Sequence, residues 1–221
     1  MPVSSYDHVS EVMHVITRVQ PVKVLDVGVG FGKWGILCRE GLEAAFGRIQ
    51  KVDWQIQIDG IEVFEQYRNP LWDLAYNKVI FGDILELIEN LPEYDLILLC
   101  DVIEHFEKQV GYGLLLRLME KAKLVILSSP RGFMPQGEVW GNAYEEHKSG
   151  WTEQDFNQIP HIYRDLGSTF MVVVAKNQQY LDSLGLRHPL KAIGLRTVTP
   201  ELLRLSFSQC KQYVLEHLSR A

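Results

Sequence analysis

The stretch Val24-Leu25-Asp26-Val27-Gly28-Val29-Gly30-Phe31-Gly32-Lys33-Trp34-Gly35 decides the fold. The aliphatic, β-branched run from Val22 to Val27 reads as a strand, the glycines at 28, 30 and 32 as a tight turn, and Trp34 to Phe46 as a helix. Glycine there removes Cβ atoms where a ligand approaches the backbone, and the turn leaves N–H groups at the positive end of the helix. A nucleoside-bearing cofactor suits such a cradle.

The glycine spacing and the acids narrow the cofactor. Dinucleotide-binding turns read G-x-G-x-x-G or G-x-G-x-x-A, with an acid about 20 residues further on. Here Lys33 occupies the third position, the glycines run 28, 30 and 32, and Asp26 stands immediately before them. The segment Asp26 to Gly32 resembles the first motif of the class I S-adenosylmethionine-dependent methyltransferases, an acid closing a strand and then G-x-G-x-G.

Three downstream segments extend that resemblance. Trp54-Gln55-Ile56-Gln57-Ile58-Asp59-Gly60-Ile61-Glu62 alternates and ends in an acid. In the family the acid closing the second strand takes both ribose hydroxyls, so Glu62 matches and Asp59, a residue pair before the strand end, matches less well. A carboxylate suits two O–H donors because it only accepts. Val79-Ile80-Phe81-Gly82-Asp83-Ile84 resembles the family's G-D motif, which implies Asp83 for the adenine amino group and Ile84 for the ring face. Tyr94 to Phe106 resembles the fourth-strand motif of small-molecule methyltransferases and carries its D-V-x-E-H ending as Asp101-Val102-Ile103-Glu104-His105. The four motifs fall in order over roughly residues 22 to 130. The resemblance implies S-adenosyl-L-methionine as cofactor, held by Asp26, Gly28, Gly30, Gly32, Glu62, Asp83, Ile84 and Asp101. It is silent on the acceptor.

The rest of the chain predicts a doubly wound α/β domain. Residues 7 to 19 place Val9, Val12, Met13, Ile16 and Val19 on one helix face. Strands are expected near 22–27, 55–61, 77–81, 95–100, 123–129, 161–166 and 169–175, with helices near 33–46, 84–90, 108–121 and 152–158. Only Gly167-Ser168 separates the last two strands, which forces an antiparallel hairpin because a parallel pair needs a long crossover. The family resemblance then implies a Rossmann-like seven-stranded, mostly parallel sheet of order 3-2-1-4-5-7-6 with an antiparallel last strand.

After the fifth strand, Ser128-Ser129-Pro130-Arg131-Gly132 opens a loop running to about Gly150, long for a structureless connection. Such loops at the carboxyl edge of an α/β sheet are where substrates meet the protein. This one carries Arg131, Phe133, Met134, Trp140, Asn142, Tyr144, Glu145, Glu146, His147 and Trp151, and His147-Lys148-Ser149-Gly150-Trp151 is similar to the segment after strand five in many small-molecule methyltransferases. It reads as a lid or acceptor wall. The competing reading has Trp140 and Trp151 anchor the loop to the core.

Displacement at a sulfonium methyl needs alignment and water exclusion, and a base only where the acceptor must lose a proton. His105 and His147 are the candidate catalytic residues, with Asp101 and Glu104 as orienting partners. The N/D-P-P-Y/F motif of nucleobase amino methylation should follow strand four, where Cys100-Asp101-Val102-Ile103 stands instead. No Asp-Asn pair follows strand five, so a divalent-metal O-methyltransferase is disfavoured and no metal ligand is expected.

Composition agrees with one catalytic domain. The 221 residues are 47% hydrophobic and 23% charged. A net charge of −6 without a basic stripe argues against long nucleic acid as partner. Cys38, Cys100 and Cys210 are scattered without disulfide or zinc spacing, there is no signal-like start and no apolar run of membrane-spanning length, so the expectation is a soluble cytoplasmic protein without a membrane partner. Residues 1–176 are expected to form the S-adenosylmethionine-dependent methyltransferase domain. Residues 177–221 are expected to form a C-terminal extension, polar and turn-rich to Val198, then a helix started by Thr199 and Pro200. Its stripe of Leu203, Phe207, Cys210, Val214 and Leu218 would pack on the domain or on a second copy as a homodimer. The function read from the sequence is methyl transfer to a small-molecule acceptor by in-line displacement. Alternatives are a non-catalytic cofactor-binding or scaffolding member of the fold, and aminopropyl transfer, for which the paired acids of a polyamine channel are not evident.

Overall fold

The computed structural model describes residues 5–186. The helix expected after Thr199, and the dimer contact assigned to it, lie outside the described residues.

The decisive stretch folds as read. Lys23–Val27 forms β1, with Val24 to Val27 all buried. The chain turns through Gly28, Gly30 and Gly32, all at positive φ, into helix α2, Lys33–Leu42. Burial of four consecutive strand residues is the signature of a parallel strand covered on both faces. Helix α1, Val9–Val19, precedes the strand and buries Val12, Val15 and Ile16.

The remaining strands are β2 (Gln57–Glu62), β3 (Lys78–Phe81), β4 (Tyr94–Cys100), β5 (Ala122–Pro130), β6 (His161–Asp165) and β7 (Thr169–Ala175). They form one seven-stranded sheet of order β3-β2-β1-β4-β5-β7-β6. The pairs β1–β2, β1–β4, β2–β3 and β4–β5 are parallel, while β7 runs antiparallel to both β5 and β6. The expected topology is the observed one. Alternate residues of the central strands, Leu25 and Val27, Ile97 and Leu99, Val125 and Leu127, Val172 and Val174, share a single core cluster with Leu114, Leu115 and Leu118 of α5, Lys108–Lys121. That two-residue spacing on a pleated strand sends one set of side chains to each face.

The helical elements depart from the reading in detail. The segment expected as one helix over 33–46 ends at Leu42 and continues as a 3₁₀ turn, Ala44–Phe46, where the buried Glu43 carboxylate turns aside to accept from the Gln55 and Ile56 N–H groups and to pair with Arg48. Residues 84–90 divide into α4, Ile84–Leu87, and a 3₁₀ turn. The expected helix at 152–158 is a 3₁₀ turn, Glu153–Phe156, begun by a Thr152–Asp155 capping box. Two short helices were not foreseen: α3, Pro70–Ala75, capped by Asn69, and α6, Gln178–Ser183, capped by Asn177 in the stretch read as turns. Each spans six residues, under two turns, too short for hydrophobic periodicity to show. Among the described residues no helix is long and apolar enough to cross a membrane.

Candidate active site

In an open α/β sheet the ligand crevice opens at the carboxyl ends of the strands where the chain order reverses. Here that point lies between β1 and β4, the first strand being flanked by the second and the fourth. A cavity of about 640 Å³ opens there, lined from the strand ends by Gly28, Gly30, Glu62, Asp83, Ile84, Asp101 and His105, and from the loop after β5 by Met134, Asn142, Tyr144, Glu145 and His147.

Of the residues expected to hold a cofactor, Gly28, Gly30, Glu62, Asp83, Ile84 and Asp101 line this cavity, as do His105 and His147; Asp26 and Gly32 are not among the lining residues. Asp59 is not either; it is buried at the other end of β2 and accepts from the Tyr94 hydroxyl at 3.0 Å.

Glu62 is the hinge between strand end and turn. Its Oε2 accepts from the Gly30 N–H at 2.8 Å and its Oε1 from the Phe64 N–H at 2.9 Å. A carboxylate has about four acceptor sites, so capacity remains for a further donor. Burial pushes the Glu62 carboxyl above its ordinary range, while the N–H groups of Phe64, Gly30 and Val63 pull it back. Asp83 caps α4, its Oδ1 accepting from the Leu85 N–H at 2.8 Å.

Asp26 sits below the turn. Its Oδ2 accepts from the Tyr76 hydroxyl at 2.6 Å, and that same hydroxyl accepts from the Gly35 N–H at 3.0 Å, fastening the start of α2 to the strand. Asp26 Oδ1 is buried without a partner, and burial raises the carboxyl to about 7 against the lowering effect of Tyr76. Asp101 takes a left-handed backbone at φ 54. It accepts from the Ser5 N–H at 2.9 Å and the Ser128 hydroxyl at 3.2 Å, so the N-terminal segment closes over the end of β4.

The turn after β4, Ile103–His105, meets the long loop through backbone bonds: the Lys148 and Ser149 N–H groups donate to the Glu104 carbonyl at 2.8 and 3.1 Å. His147 is thereby brought beside His105, their rings 5.0 Å apart and edge to face. His105 Nδ1 lies 3.2 Å from the Glu146 carbonyl and His147 Nδ1 2.7 Å from the Met134 carbonyl. A carbonyl only accepts, so each Nδ1 carries a proton, and a neutral ring then has its lone pair on Nε2. Burial lowers the His105 pKa, favouring the neutral ring. Glu104, 2% exposed, is pushed well above the carboxylate range by burial first and by the charge of Asp101 second.

The loop after β5 is anchored at one tryptophan of the two. Trp151 is fully buried, donates to Ser149 Oγ at 2.8 Å and lies under the Lys108 ammonium, 3.8 Å from the ring centre. Trp140 is 70% exposed and anchors nothing. The lining also includes Lys33, half-buried at the turn, with burial lowering its pKa, and Tyr67, neither of which belongs to the expected site set. The Tyr67 hydroxyl donates to Glu145 Oε1 at 2.8 Å and accepts from Asn142 Nδ2 at 3.1 Å, bridging the segment after β2 to the loop. Nothing in the local pattern around Tyr67 signals a partner 78 residues away.

Solved structures share the fold. The N-terminal domain of EvdMO1, solved with S-adenosylhomocysteine bound, superposes with a TM-score of 0.54 at 14% identity, over 79% of this chain and 83% of that one. This is a methyltransferase fold. An O-methyltransferase family protein from Burkholderia thailandensis matches with a TM-score of 0.54 at 11% identity, over 76% of this chain and 56% of that one. The methyltransferase domain of a bacterial Hen1 matches with a TM-score of 0.50 at 19% identity, over 76% and 97%. The chain spans about half the length of the Burkholderia protein and 54% of a Nostoc punctiforme protein assigned as an O-methyltransferase. No family model and no curated protein matches the sequence.

Proposed function

We propose that the chain is an S-adenosylmethionine-dependent methyltransferase acting on a small-molecule acceptor. The observation that carries this reading is Glu62, a buried carboxylate at the end of β2, hydrogen-bonded to the glycine turn and lining the cavity. Its remaining acceptor capacity suits ribose hydroxyls, which can only find an acceptor there, and the turn beside it presents Gly28 and Gly30 without side chains. The neighbour with S-adenosylhomocysteine bound supports the same cofactor.

Bound there, the cofactor would supply a sulfonium methyl group open to in-line attack by an acceptor lone pair, with the neutral thioether as leaving group. Asp83 and Ile84 would take the adenine, one by accepting from its amino group and the other by packing. Lys33 would face the cofactor's carboxylate, with Asp26 and Asp101 acting on the site through their charge on that lysine. His105 and His147 stand at the acceptor end, where a neutral imidazole can receive the proton of a hydroxyl or ammonium acceptor. The loop after β5, tied down at Trp151 and bridged by Tyr67, excludes water.

Calorimetric titration with S-adenosylmethionine and S-adenosylhomocysteine tests this reading. One-site binding, weakened more than tenfold by Glu62→Ala, is the expected result. Absence of binding to either compound would refute it and leave a scaffold of the same fold. Binding without turnover on any acceptor would favour a non-catalytic cofactor-binding member.

A further inference from the structure

The acceptor end of the cavity holds more than a candidate base. Glu104, His105 and His147 each offer one donor atom, and these atoms all lie within 4.8 Å of one another. We propose that these three side chains form a binding site for a divalent transition-metal ion.

Three observations carry the assignment. First, the donor set is two imidazoles and one carboxylate, which suits borderline ions such as zinc or cobalt better than magnesium or calcium. Ligand atoms bound at about 2.1 Å stand roughly 3 to 3.5 Å apart, so the side chains need close by about an ångström. Second, both imidazoles are held in the manner of metal ligands, with Nδ1 facing a backbone carbonyl, Glu146 for His105 and Met134 for His147. That bond fixes the tautomer and leaves Nε2 for the ion. Third, Glu104 lines the cavity and its Oε2 is buried without a hydrogen-bond partner. A buried carboxylate oxygen left alone is costly, and a cation is a partner that satisfies it.

The placement is a product of the fold. Glu104 and His105 sit on the turn after β4, His147 is 42 residues further on, and the two N–H bonds to the Glu104 carbonyl bring the segments together. The Asp-Asn pair whose absence after β5 argued against a metal has no part in this set, which gathers its ligands from the β4 turn and the loop instead. A His₂-carboxylate set leaves coordination positions open toward the cavity.

The ion deepens the methyl-transfer reading, on which this step rests, by selecting an oxygen acceptor and by taking over from the two imidazoles as the means of removing its proton, since their Nε2 lone pairs are then bound to the metal. A hydroxyl held in an open position becomes more acidic and gives its proton to solvent. Its oxygen then bonds to the methyl carbon while the carbon–sulfur bond breaks, the electron pair leaving on sulfur.

The test is metal uptake by the full chain, stripped with chelator and titrated separately with Zn²⁺, Co²⁺ and Mg²⁺ by calorimetry, with the Co²⁺ visible spectrum as a second readout. One equivalent of Zn²⁺ or Co²⁺ is expected, with Mg²⁺ at least tenfold weaker and affinity falling more than tenfold in His147→Ala, a loop residue outside the core. Glu104→Gln is expected to weaken binding similarly. Less than a tenth of an equivalent bound, or uptake unchanged in His147→Ala, overturns the site. S-adenosylhomocysteine titrated into the same stripped protein separates the two readings: metal failure with intact cofactor binding refutes only this site.

Discussion

Tyr76→Phe removes one oxygen and takes two bonds with it. The hydroxyl donates to buried Asp26 at 2.6 Å and accepts from the Gly35 N–H at 3.0 Å. A hydrogen bond to a charged group contributes about 1.5 to 3 kcal/mol, and a buried N–H left alone costs about 1 to 3 kcal/mol, so a loss of about 2.5 to 6 kcal/mol is expected where Asp26 is ionised. The sign with pH follows from the raised carboxyl. With a folded value of about 7 against 3.8 unfolded, the native state holds the extra proton between them. Stability therefore declines as pH rises through that window, by about 4 kcal/mol in total, and is level above it. Tyr76 lowers the Asp26 value, so its removal extends the decline above pH 7. The gap between wild type and Tyr76→Phe should be smaller at about pH 6 than at about pH 8.5, by roughly 1 kcal/mol or more. Urea unfolding followed by tryptophan fluorescence at both pH values measures it. An equal gap at the two, or a loss below about 1 kcal/mol, refutes the buried-carboxylate account.

Gly28→Ala places a Cβ 2.5 Å from Val102 Cγ2 at a φ of +80; the left-handed backbone alone costs about 1 to 2 kcal/mol, and calorimetry should show S-adenosylhomocysteine binding weakened more than tenfold, with Val102→Ala restoring only part. Gly150→Ala drives a Cβ to 2.3 Å from the Phe133 backbone nitrogen, so the loop after β5 should detach, seen as faster proteolysis between 131 and 151. Gly113→Ala, in α5 with open space around it, should instead stabilise by about 0.5 to 1 kcal/mol in the same urea assay. Lys108→Met loses a 2.7 Å ion pair with Asp155 and the cation over Trp151, an expected destabilisation of about 1 to 2 kcal/mol; no change in the urea midpoint would show that the packing of Trp151 alone holds the loop.

The sequence by itself determined the sheet and the wall of the cavity nearest it. Glycine spacing, the acids at or just past the ends of β1 to β4 and a short hairpin are local, because each depends on backbone conformation or on side chains at a strand's end. Gly28, Gly30, Glu62, Asp83 and Asp101 are thus legible at the strand ends from local sequence alone. Only the tertiary structure showed Asp26 facing Tyr76 rather than the cavity, for that bond joins residues 50 apart. It also decided which tryptophan anchors the loop, and that Tyr67 closes on Glu145. The meeting of Glu104 and His105 with His147 belongs to the same class. It is made by two backbone N–H groups finding the Glu104 carbonyl, and backbone donors and acceptors are the same for every residue type, so no side-chain pattern in the sequence announces where they will pair.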